Sequence, residues 1–105
     1  SIYQGVTYYL RCPHCKEQAQ ILAGRSNITP MQVGGNTLKN FEGLPPTIWA
    51  EKQDIERYLA DKHVPKLVIY NSKTNKMTQI RGVNSLNTIQ QASQALENKE
   101  VKNGK

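Results

Sequence analysis

Val6-Thr7-Tyr8-Tyr9-Leu10-Arg11-Cys12-Pro13-His14-Cys15 is the stretch on which the fold turns. Its first five residues are branched, aromatic or apolar, as in a buried strand, and the run stops at a cysteine pair. From Pro13 through Ala23 the residues suit a helix. Proline stands in its first turn, Ala19, Leu22 and Ala23 make a partial apolar face, and Gly24 terminates it. Cys12 is thereby expected at a helix N-terminus, directly after a strand end.

Further along, Ile28 to Val33 reads as a second strand, with Pro30 asking for an edge position or a bend. Gly34 to Pro46 holds too many glycines and prolines for regular structure and reads as a long loop. Thr47 is expected to cap a helix reaching Asp61, with Ile48, Ile55, Tyr58 and Leu59 on its inner face and Trp49 packed on it. Leu67-Val68-Ile69-Tyr70, the turn residues Asn71 to Asn75 and Met77-Thr78-Gln79-Ile80 predict a β-hairpin. Gly82 ends it. Asn84 or Ser85 caps a last helix carrying Leu86, Ile89, Ala92 and Leu96 at helical spacing, and Asn98 to Lys105 reads as a frayed polar tail. The expected fold is α/β: one domain over residues 1–97, with a four-stranded mixed sheet and helices on both faces. Its order is strand, helix, strand, helix, strand, strand, helix.

A chain of 105 residues leaves no room for a second domain. Its formal net charge is +6, its isoelectric point near 9.5 and its mean hydropathy -0.64. The positive charges are scattered among strand residues and the tail, without stacking aromatics, so a solvated basic surface is expected rather than a nucleic-acid site. No apolar run approaches the ~18 residues of a membrane span.

Cys12-Pro13-His14-Cys15 between a strand and a helix resembles the active site of the thioredoxin superfamily. Asp61-Lys62-His63-Val64-Pro65-Lys66-Leu67-Val68-Ile69-Tyr70 resembles that family's turn, cis-proline and third core strand, and Arg81-Gly82-Val83 resembles its glycine after the last strand. The resemblance implies a three-layer thioredoxin-like core and a thiol-disulfide oxidoreductase whose redox group is a Cys12–Cys15 disulfide, with no other cofactor and no metal. Cys12 at the helix end is favoured as the attacking thiolate, and Cys15, one turn inward, resolves the mixed disulfide. Pro13 and His14 set the direction, and Pro-His is the pair of the periplasmic DsbA-type oxidases. An imidazole that favours the thiolate stabilises the reduced form, and each ~1.4 kcal/mol raises the potential by about 30 mV. Val64 and Pro65 form the substrate-binding half of the site, where a substrate strand can pair.

The family resemblance further implies protein dithiols or disulfides as substrates, a separate redox partner, a monomer, and a bacterial periplasmic or secreted setting; a thioredoxin-like reductase, the alternative, also fits the cytoplasm. The large helical insertion of DsbA is absent, as are the glutathione-holding residues of glutaredoxins after Gly82. Read without the family, Cys-X-X-Cys is also half a zinc site, with His14 or His63 as further ligands, or a structural disulfide. His63 is expected to interact with the last helical turn, and Arg11 either favours the Cys12 thiolate or points to solvent. Pro46-Thr47-Ile48-Trp49, Ile55-Glu56-Arg57-Tyr58 and Val64-Pro65 resemble thioredoxin-fold proteins of conjugative pilus assembly. That resemblance implies, as a further alternative, a binding module of a conjugation or secretion apparatus using Gly34 to Pro46 as its contact surface.

Overall fold

The structure, a computed structural model, describes residues 4–9 and 12–97; the expectations for Arg11 and for the tail 98–105 lie outside the described residues. Along the chain run β1 (Gln4–Tyr9), α1 (Pro13–Leu22), β2 (Ile28–Gln32), β3 (Ile48–Trp49), α2 (Lys52–Tyr58), β4 (Lys66–Asn71), β5 (Lys76–Arg81) and α3 (Leu86–Ala95). The strands form one mixed sheet in the order β3-β2-β1-β4-β5. β1 is central, parallel to β2 and antiparallel to β4. β4 and β5 are the two arms of the expected hairpin. Asn71 holds its turn by accepting the Lys73 and Thr74 N–H groups on Oδ1.

The sheet therefore has five strands, not four. The extra strand comes from Ile48 and Trp49, which sequence pattern assigns to a helix but which pair in parallel with Met31 and Gln32. Thr47 explains the difference. Its hydroxyl donates to the Lys39 carbonyl at 2.7 Å and its N–H to Asn40 Oδ1 at 2.9 Å, so its polar groups fasten the preceding loop and cap no helix. With Thr47 so fixed, the branched Ile48 and aromatic Trp49 continue as extended chain. Trp49 is 43% exposed on this edge strand instead of packed on a helix. α2 starts only at Lys52 and ends at Tyr58, leaving His63 five residues beyond it and exposed, its N–H donating to Asp61 Oδ1. Because β3 reaches β2 only at Met31 and Gln32, Pro30 has no strand partner on that side among the described residues.

Alternate residues of β4 feed two apolar clusters. Leu67 and Ile69 join Leu22 of α1, Ile28, and Ile89 of α3, closed by Leu96. Val68 joins Tyr8 and Leu59, with Ile55 and Tyr58 of α2 packed beside them. This alternation is the period of two that a strand imposes on a sheet covered from either side. Both adjacent tyrosines are buried, where strand alternation alone places one in a core: Tyr8 enters the second cluster, and Tyr9 meets Phe41 in an edge-on ring contact with centroids 4.4 Å apart. Ser85 caps α3 by accepting the Thr88 N–H.

Lys66 opens β4 with its side chain only 3% exposed. Its ammonium donates to the Tyr58 carbonyl at 2.6 Å and to Asp61 Oδ1 at 2.7 Å, while Arg81 approaches Asp61 Oδ2 at 3.2 Å. The Lys66 hydrogen bond, then the His63 N–H, hold the Asp61 carboxyl down at about 2. A carboxylate whose folded value lies below its unfolded value of about 3.9 stabilises the fold above pH ~4, and this contribution disappears as pH falls through about 2. The thermal midpoint of the chain is expected to drop over that window. Asp61→Asn, measured by the same melts, is expected to lower the midpoint at neutral pH and to flatten this part of the profile.

Candidate functional site

Cys12 is the N-cap of α1, in extended conformation, and Pro13 follows at the first helical position, where a missing N–H costs nothing. Cys12 Sγ accepts the Cys15 N–H at 3.1 Å, so the sulfur occupies the place where a helix start satisfies an orphan donor. Cys12 and Cys15 are joined as a disulfide with Cα atoms 5.2 Å apart. The two sulfurs differ in access, since Cys12 is half-buried and Cys15 is 2% exposed. His14 is exposed, with Nδ1 3.8 Å from Glu17 Oε1 on the next turn.

Val64-Pro65 is a cis peptide bond. The β1–β4 register pairs Tyr8 with Lys66, which puts Pro65 at the end of the sheet where β1 runs toward Cys12. Pro65 is buried, and its carbonyl accepts the Gly82 N–H at 2.8 Å. That bond ties together two of the segments singled out in the sequence. Gly82 itself has φ +75, a left-handed conformation that glycine adopts without penalty. Gln18, one turn beyond Cys15 and buried, exchanges two hydrogen bonds with the Asn84 backbone, at 2.7 and 3.3 Å. This amide anchors α1 to the link between β5 and α3, a role that a glutamine in a helix does not announce.

The stretch from Gly34 to Pro46 is the long loop its glycines and prolines predict, and side chains elsewhere in the fold fasten it. Buried Gln32 donates to the Gly34 and Thr37 carbonyls and accepts the Lys39 N–H. From the end of β1, the Tyr9 hydroxyl lies 2.6 Å from the Lys39 carbonyl and 2.9 Å from Thr47 Oγ1. Burial pushes the Tyr9 phenol above its ordinary range, although the Thr47 bond opposes it, so the hydroxyl stays protonated and available as a donor. The loop thus stands as a wall facing α1. Between them lies a cleft of about 480 Å³ lined by Cys12, Lys16, Gln32, Lys39, Asn40 and Phe41 among others. Its size falls in the ~300–1,000 Å³ range of ligand pockets, and one of its walls carries the accessible sulfur.

Among the described residues, no group of three or more His, Cys, Asp and Glu converges as it would around a metal ion, and no helix is long and apolar enough to cross a membrane. Compared with known proteins, the sequence matches no family model, and no curated protein or solved structure is significantly similar to it. What stands is an α/β fold with a cysteine pair at disulfide distance on a helix N-terminus.

Proposed function

We propose that this chain is a thiol-disulfide oxidoreductase of thioredoxin-like architecture that exchanges the Cys12–Cys15 disulfide with protein substrates, in the oxidising direction. The observation that carries the reading is the asymmetric pair itself: an accessible sulfur capping a helix and a buried one a turn inside. In the proposed reaction a substrate thiolate attacks Cys12 Sγ, the S–S bond breaks, and Cys15 leaves as thiolate and takes up a proton. The substrate's second thiolate then attacks its own sulfur in the mixed disulfide, and Cys12 leaves. Two electrons pass to the protein, which is left with a Cys15 thiol and a Cys12 thiolate, and the substrate keeps the disulfide. The Cys15 N–H and the positive end of the α1 dipole stabilise the departing Cys12 thiolate, which favours oxidation of the substrate. Val64 and Pro65 supply the backbone beside which the substrate strand lies. A Cys-Pro-His-Cys oxidase acts where thiols are being oxidised, so the reading carries with it a bacterial periplasmic or secreted setting.

Direction is tested by equilibrating the chain in glutathione redox buffers. The expected reduction potential lies between about -180 and -120 mV, the range of protein disulfide isomerase and DsbA; a value near thioredoxin's, about -270 mV, overturns the oxidising direction.

A further inference from the structure

Beyond the sulfur-bearing cleft, a second cavity of about 390 Å³ continues along α1 to Ala23 and Gly43, and the two share Lys16, Asn40 and Phe41. The Gly24 N–H closes the far end by donating to the Gly43 carbonyl at 2.6 Å. Gly43 has φ +83, and a Cβ there would stand 2.9 Å from Ala23 Cβ, so loop and helix meet in close contact at this end. Among the described residues, the charged side chains lining the two cavities are Lys16 and Lys39 at the near end and Glu42 at the far end, and neither lysine enters an ion pair. The wall between is held by the Gln32, Tyr9 and Thr47 hydrogen bonds, so a ligand meets a preorganised surface.

We infer that this continuous cleft between α1 and residues 39–43 seats an extended segment of a substrate polypeptide, with an acidic side chain about two residues from the cysteine presented to Cys12. The inference rests on the oxidoreductase reading and names its substrate class. Cys12 to Ala23 spans about 16 Å of helix at ~1.5 Å per residue, the length of about five extended residues. Lys16 lies about 6 Å along the axis from Cys12, or about two extended residues. Unpaired ammonium groups there complement a carboxylate, while the half-buried Phe41 ring offers apolar contact. A tripeptide-sized thiol fills only the first part of such a cleft.

The test uses the reduced chain and short cysteine peptides activated as 2-pyridyl disulfides, identical except for Asp, Asn or Lys two positions from the cysteine. Cys12 thiolate bonds to the peptide sulfur and pyridine-2-thiolate leaves, taking a proton to become the absorbing 2-thiopyridone. Cys15 then loses its proton, displaces the peptide thiolate, which is protonated in turn, and closes the protein disulfide. The Asp peptide is expected to react about fivefold faster than the Asn peptide at low salt, and the Lys peptide slower. Lys16→Gln with Lys39→Gln is expected to bring the three peptide rates within about twofold of one another, read as ratios within that variant so that any common change at Cys12 cancels. Equal rates for all three peptides overturn the inference. So does a glutathione conjugate that matches the Asp peptide, because the occupant is then a small thiol. If dipyridyl disulfide itself reacts no faster than with an unfolded cysteine, the oxidoreductase reading fails instead, and the two failures are thereby told apart.

Discussion

Cys12→Ser is expected to abolish disulfide transfer to a reduced protein substrate, with the rate falling at least about a thousandfold, as when the nucleophile of a covalent catalyst is removed. Cys15→Ser is expected to behave differently. Its remaining thiol at position 12 is the accessible one, capping α1 and opening on the cleft, so with a substrate that carries a disulfide it still forms a mixed disulfide, the other substrate sulfur leaving as thiolate. With the buried resolving sulfur gone, that adduct persists, and intact-mass measurement reads it as chain plus substrate. The asymmetry of burial dictates this order: a substrate reaches Cys12 without rearranging the fold, while Cys15, 2% exposed, is reached only by its neighbour. An equally abundant adduct on Cys15 in the Cys12→Ser chain would contradict this division of roles.

Ile69→Ala is expected to destabilise the chain by about 3–4 kcal/mol, a large share of the ~5–15 kcal/mol that holds a small domain. Ile69 is fully buried on β4 within the cluster of Leu22, Ile28, Leu67 and Ile89, which joins α1 and α3 to the sheet. It also lies against Gly5 of β1, whose absent side chain lets the two strands and Ile28 close together: a Cβ at Gly5 would meet Ile28 Cδ1 at 2.5 Å and Ile69 Cγ2 at 3.3 Å. Surroundings so tightly filled do not collapse around a cavity at low cost. Urea unfolding measures the loss, and a change below about 1 kcal/mol would contradict this account of the core. At temperatures where the variant remains folded, Cys12 reactivity is expected to be unchanged.

Local pattern was enough for the elements that position the cysteines. A branched and aromatic run ending at Cys12, Pro13 in the first turn and Gly24 after the last are signals carried by neighbouring residues, and β1 and α1 stand where they indicate. The hairpin after Pro65 was legible for the same reason, and so was a cap at Asn84 or Ser85, of which the structure uses Ser85. Ile48 and Trp49 were not. Their spacing to Ile55 and Tyr58 imitates a helical face, and what makes them a strand is the pairing with Met31 and Gln32, remote in sequence. Nor was the wall of the cleft legible, because its order comes from Tyr9 and Thr47, 38 residues apart, and from a buried glutamine. Abundant glycine and proline announce irregular backbone; they do not distinguish a slack loop from one fastened by side chains elsewhere. Polar residues at the ends of buried strands, such as Gln32 after Met31, are the signal that marks such fastening.

The most direct test of disulfide transfer is to mix the oxidised chain with a reduced, unfolded substrate protein and follow both by mass after trapping free thiols. The substrate is expected to gain a disulfide as Cys12 and Cys15 become reduced, one for one, through an adduct on Cys12. A substrate that stays reduced while the Cys12–Cys15 bond persists would contradict it.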